Sequence, residues 1–209
     1  MRIDRRSFWF LDAVVEYGEN LAVLASPGIE LTLNRRTHGL EARELAPILA
    51  SLCEAGLIRV KHMETDALAR TLPEIESAFA MSSCKPGRYS GFWYNLTPEG
   101  GAVWESLTRP DWSRYCTGAW EPGQSCLEAG SRERLEEELT WQAADPWSVR
   151  VPGSEVWTVV RPWDATYWKT LPVGFEVRYQ RIDKKYLACD LRPEPRVAPP
   201  RPWYENPAF

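Results

Sequence analysis

The sequence predicts an α+β chain, with helices and short strands interleaved in the first half and mainly antiparallel strands in the second. Three observations carry this. Leu45, Ile48, Leu49 and Leu52 fall at helical spacing, Gly56 follows, and Leu57, Ile58 and Val60 begin a strand. Residues 94–107, YNLTPEGGAVWESL, read as a strand that passes through Thr97 as N-cap and Pro98 as first helical residue into a closing helix. Beyond residue 139 the apolar period switches to two, as in Phe175, Val177 and Tyr179.

Composition narrows the classes. With 209 residues, 44% hydrophobic and 26% charged, the chain is long and apolar enough to bury a core without staples. No apolar run reaches the roughly 18 residues of a membrane span. The start, MRIDRRSFWFLDAVVEYG, places Asp12 and Glu16 inside its apolar stretch, so it reads as a helix rather than a signal peptide. The five cysteines include no CxxC pair, which points to reduced thiols in a cytoplasm. His38 and His62 stand near no cysteine at metal-ligand spacing, so neither a metal nor a cofactor is expected. Residues 1–109 hold 12 basic and 14 acidic side chains, and the remainder 13 and 15. Neither half is the basic body of a protein that binds by neutralising phosphates.

In the first half, residues 5–17 read as a helix with Phe8, Leu11 and Val15 inward, ended by Gly18. Ser26-Pro27-Gly28 is turn chemistry. Ile29, Leu31 and Leu33 alternate with polar residues, and both helix and strand stay open there. Asn34, Arg35, Arg36 and His38 form the donor-rich cluster of this half, a candidate contact for phosphate or an acidic partner. The helix after it shows Arg43, Glu44, Pro47, Ser51 and Glu54 on its polar face, a poor set for reading bases. Pro47 places its start near Glu44 or kinks it. Thr71 and Glu74 make a capping box for a short helix over 72–80, and 82–91 reads as a mobile loop.

In the second half, residues 116–130, with Pro122 and three glycines, read as a linker or long loop. Ser131 caps a helix over 132–139, whose four glutamates read as a solvated face. Leu139, Trp141 and Ala143 alternate as a strand would, and 165–171 reads as a helical turn. Val156–Val160 is a β-branched strand, and 174–191 a hairpin. Eight of the eleven tryptophans lie at or after Trp112. Of these, Trp147, Trp163 and Trp168 sit beside prolines or in polar stretches, a candidate exposed aromatic patch. The domains expected are 1–115, a tryptophan-rich α+β part at 116–192, and a proline-rich extended tail at 193–209 anchored by Trp203 and Tyr204.

The helix–glycine–strand passage, the inserted LPEIESAF and the segment YNLTPEGGAVWESLTRPDWSRY together resemble a bacterial winged-helix pattern over residues 36–115. The Leu96-Thr97-x-x-Gly100 step is shared with MarR-like and PadR-like regulators. The longer pattern is more similar to bacterial proteins of no assigned activity. The resemblance implies an N-terminal winged-helix-like domain with an enlarged wing. Winged helices serve both DNA and protein contacts.

No Ser-His-Asp order, G-x-S-x-G, HExxH or phosphate-cradling glycine loop occurs, so no enzyme is expected. The function these features imply is a non-enzymatic bacterial binding protein. Its winged-helix scaffold would contact, and neutralise or regulate, a protein partner. The alternative is a DNA-binding transcription regulator with Arg35, Arg36 and His38 on the backbone.

Overall fold

The computed structural model of the chain describes residues 2–33, 35–85, 88–143, 145, 148–183 and 202–209. They are mixed helix and antiparallel sheet, an α+β chain, and no helix among them is long and apolar enough to cross a membrane. Two units form. Met1–Thr108, Thr166–Lys169 and Pro207–Phe209 make the first, and Arg109–Ala165 with Thr170–Asn206 the second. The division falls after Thr108 rather than at the expected 115. Arg109 takes a left-handed φ of 47°, Pro110 follows, and Tyr115 is buried with Trp163 and Ala165 in the second unit.

The first unit begins with α1 (Arg5–Ala13), capped by the Asp4 carboxylate, which accepts from the Ser7 N–H at 2.8 Å. It ends before the expected residue 17, yet Val14 and Val15 are still buried. Then come β1 (Glu19–Asn20), α2 (Leu21–Leu24), α3 (Ile29–Leu33) and α4 (Ala42–Glu54). Residues 29–33 are thus helical. In α4 the Glu41 and Glu44 carboxylates build the capping box, so the helix starts earlier than residue 44 and Pro47 lies in its second turn. Leu45, Leu49 and Leu52 are buried, and Gly56 follows at φ 71°, the left-handed residue the turn into β2 (Ile58–His62) requires.

β3 (Leu68–Ala69) pairs with β2, and α5 (Leu72–Met81) follows with the Thr71–Glu74 capping box in place. The expected loop at 82–91 instead holds a hairpin, β4 (Ser83–Lys85) against β5 (Arg88–Ser90). Lys85 and Arg88 are its last described pair. β6 (Phe92–Leu96) leads into α6 (Pro98–Thr108). The sheet order is β1-β6-β2-β3, antiparallel throughout. Residues 166–169 complete the unit. The Tyr167 hydroxyl donates to the Val14 carbonyl at 2.6 Å and accepts from the Leu96 N–H at 2.7 Å.

In the second unit a 3-10 turn over Trp112–Arg114 precedes β7 (Cys116–Glu121) and β8 (Gln124–Ala129). The expected linker is therefore a hairpin, because Pro122-Gly123, with Gly123 at φ 76°, is its turn. α7 (Arg132–Gln142) takes in Leu139 and Trp141, so their alternation belongs to a helix rather than a strand. Ser131 caps it by accepting from the Arg134 N–H at 3.1 Å.

β9 (Ser148–Arg150), β10 (Val156–Val160), β11 (Trp163–Thr166), β12 (Lys169–Leu171) and β13 (Gly174–Asp183) follow. β11 and β12 pair, which replaces the helical turn expected at 165–171. The main sheet runs β10-β13-β8-β7, with β9 on the far end of β13. One face buries Leu127, Ala129, Val177 and Tyr179 against Leu135 and Leu139 of α7. The other carries Trp163 and Tyr115, with Trp203 packed against them. Of the tail, Trp203 is held there, the Asp111 N–H donating to its carbonyl at 2.8 Å, while Pro207–Phe209 belong to the first unit. The second half of the expected 174–191 hairpin, and the tail up to residue 201, lie outside the described residues.

Candidate functional site

The donor-rich cluster is dispersed into structural duties. Asn34 lies outside the described residues. The Arg35 guanidinium is paired with the Asp12 carboxylate at 2.8 Å, both largely shielded. The other Asp12 oxygen accepts from the Trp104 indole N–H at 2.9 Å. His38 is wedged beside Trp9 and Phe10. Its Nδ1 accepts from the Leu40 N–H at 3.0 Å, so Nε2 carries the proton and donates to the Leu24 carbonyl at 2.9 Å. Both ring nitrogens are thus occupied, and His38 is a structural histidine rather than a phosphate contact. Arg36 is the exposed member, its backbone carbonyl accepting from the Trp9 indole at 2.8 Å.

Beside His38 lies an open cleft of about 410 Å³, walled by Leu24, Ile29, Leu40 and Leu45 with Glu30 and Thr37 at its polar side. The Glu30 carboxylate already accepts from the Thr37 N–H at 3.1 Å. On the outer face of α4, Arg43 pairs with Glu41 at 2.9 Å and Glu44 with Arg6 at 3.3 Å. In the segment between β2 and β6, Met63, Met81 and Tyr89 stand about half exposed or more.

Among the described residues the expected tryptophan patch is not exposed. Trp147 lies outside the described residues. Trp163 is 1% exposed, its ring lying where a Cβ on Gly174 would sit. Trp168 belongs to the first unit and is half-buried. Its indole donates to the Val15 carbonyl at 2.8 Å, and its ring covers Gly101. Pro162 beside Trp163 suggested a loop, yet β11 starts at Trp163 and its ring turns inward. Among the described residues the most exposed tryptophan is Trp120 on β7, 58% exposed, which sequence reading passed over inside the supposed linker.

Sequence reading also missed a polar cluster on the sheet of the second unit. β8 and β13 pair with Glu128 opposite Glu176 and Cys126 opposite Arg178. These four side chains share the face turned away from α7, since Leu127 and Val177 point to it. Two like charges directly opposed destabilise a sheet unless something offsets them. Arg178 forks onto both Glu176 oxygens at 2.9 and 3.0 Å. The Trp163 indole donates to Glu128 at 2.7 Å, and the Cys126 thiol to Glu176 at 3.4 Å. The Arg178 hydrogen bonds hold the Glu176 carboxyl below its usual range, although it is buried. Burial, with the Glu176 bond and charge, pushes the Cys126 thiol up to about 11, which makes it a poor nucleophile near neutral pH. The Cys126 sulfur and oxygens of Glu128 and Glu176 all lie within 4.8 Å of one another, as the donors of a metal site would.

No protein-family model, no curated protein and no solved structure matches the chain.

Proposed function

We propose that the first unit is a winged-helix scaffold used for contact with a protein partner, and that the chain works as a non-enzymatic binding protein in a bacterial cytoplasm. The order of elements supports the scaffold: α1, β1, the short helices α2 and α3, α4, then β2 and β6 flanking the wing, with β6 between β1 and β2 in the sheet. The resemblance of residues 36–115 to a winged-helix pattern agrees with this. The thiols of Cys53, Cys84, Cys116 and Cys126 are free, which suits a reducing compartment.

The observation that carries the choice of partner is the outer face of α4, the helix that would enter a DNA groove. Its cation, Arg43, is committed to Glu41, its Glu44 is paired with Arg6, and Glu54 adds a further carboxylate. Such a face offers phosphate little net positive charge. The exposed Met63, Met81 and Tyr89 of the wing suit an apolar protein contact instead. Exposed Arg36 favours the competing reading, a DNA-binding regulator.

An electrophoretic shift titration with duplex DNA at two salt concentrations separates the two. Binding no tighter than roughly 10⁻⁴ M at physiological salt is expected, the weak end of the non-specific range. Micromolar binding with a steep salt slope, weakened in Arg36→Ala, makes the regulator the better reading. On the protein side, a partner captured by the wild-type chain and released by Met63→Asp/Met81→Asp supports the proposal.

A further inference from the structure

We propose that Cys126, Glu128 and Glu176 form a binding site for a zinc-class divalent cation on the β8–β13 face. The inference is independent of the winged-helix reading. Three donors converge within 4.8 Å from two paired strands, and register fixes their Cα positions. The donors of one tetrahedral zinc, with Zn–S near 2.3 Å and Zn–O near 2.1 Å, stand roughly 3.5 Å apart. Small side-chain rotations therefore close the set.

The second observation is charge. Two carboxylates face each other across the strand pair, and among the described residues the cation on them is Arg178, which forks Glu176. The charged groups acting on Cys126 are Glu176, Arg178 and Glu128, which together carry one net negative charge. A divalent cation that takes Cys126 as thiolate, its proton leaving to solvent, brings the group to neutrality. Glu128 is oriented for the role by the indole of Trp163, itself 1% exposed, in the way an outer hydrogen bond orients a metal-binding carboxylate. Arg178 is the built-in competitor. Its side chain is 58% exposed, so it swings off Glu176 into solvent without rearranging the core. A thiolate among carboxylates selects zinc, cobalt or cadmium over magnesium and calcium.

The test is titration of the full-length chain with cobalt(II) chloride, read as the thiolate-to-cobalt charge-transfer absorption, with zinc(II) then displacing it. The band is expected in the wild type and in Cys116→Ser, a control on the neighbouring strand. It is expected to vanish in Cys126→Ser and to need roughly tenfold more cobalt or worse in Glu128→Gln. Arg178→Ala, which removes the competitor, should bind tighter. Circular dichroism of each variant shows whether the sheet is kept. No band in the folded wild type, or a band that survives Cys126→Ser, overturns the site. Weaker binding by folded Arg178→Ala overturns the competition on which the proposal rests.

Discussion

The Asp12 carboxylate is shared between Arg35 and Trp104, one oxygen 2.8 Å from the guanidinium and the other 2.9 Å from the indole nitrogen. The pair joins residues from α1, the loop after α3 and α6 in a shielded place. Asp12→Asn should therefore cost about 2 kcal/mol, since it removes a charged hydrogen-bond partner and leaves Arg35 shielded without its counter-charge. Urea denaturation of the variant measures this. An unchanged midpoint would mean the pair contributes nothing.

Leu49 is fully buried on α4, so Leu49→Ala should destabilise by roughly 2–5 kcal/mol. Glu54→Ala at the exposed end of the same helix should stay within about 0.5 kcal/mol. Equal thermal shifts would put the helix in the wrong phase.

The Thr97 hydroxyl accepts from the Gly100 N–H at 3.0 Å and donates to the Gly56 carbonyl at 2.6 Å. One side chain thus caps α6 and ties it to the turn after α4. Thr97→Ala should cost about 1–2 kcal/mol, read from chemical denaturation, with Thr97→Ser recovering most of it.

Burial raises the phenols of both Tyr94 and Tyr167 above their usual range. The stabilisation is complete below roughly pH 10, where the unfolded tyrosines are also protonated. It is lost as pH rises from there toward the folded values, because unfolding then releases protons. The melting temperature should therefore fall above about pH 10. Tyr94 adds a separable test. Its hydroxyl is buried and has no hydrogen-bond partner among the described residues. Tyr94→Phe should be neutral or stabilising at pH 7 and should make the alkaline loss shallower. A clear loss of stability at pH 7 would show that the hydroxyl has a favourable contact.

Much of the first unit was legible because its signals are local. Gly56 ends α4, Thr71 and Glu74 cap α5, and Thr97-Pro98 open α6. The misreadings came where one local signal has two meanings. Pro122-Gly123 marks a tight turn as well as a loose linker, and the flanking alternation of Leu127 and Ala129 with Cys126 and Glu128 was the clue. Leu139 and Trp141 sit two apart on a helix whose stripe is Leu135 and Leu139. The candidate sites were harder, since side-chain partners are set by register and tertiary packing. Nothing near Arg35 in sequence announces Asp12, and nothing near Cys126 and Glu128 announces Glu176, which reaches them only through the β8–β13 pairing.

The four residues 166–169 carry a practical consequence for genetics. A chain truncated after Thr108 keeps every helix of the first unit but loses Tyr167, the hydrogen-bond partner of Val14 and Leu96, and Trp168, the cover over Gly101. It also loses Lys169, which pairs with Glu105 at 2.7 Å. A phenotype seen on such a truncation therefore reports damage to the first unit as much as absence of the second. Assigning a role to either one calls for point substitutions in the full-length chain, because a cut after Thr108 leaves part of the first unit on the fragment that carries the second.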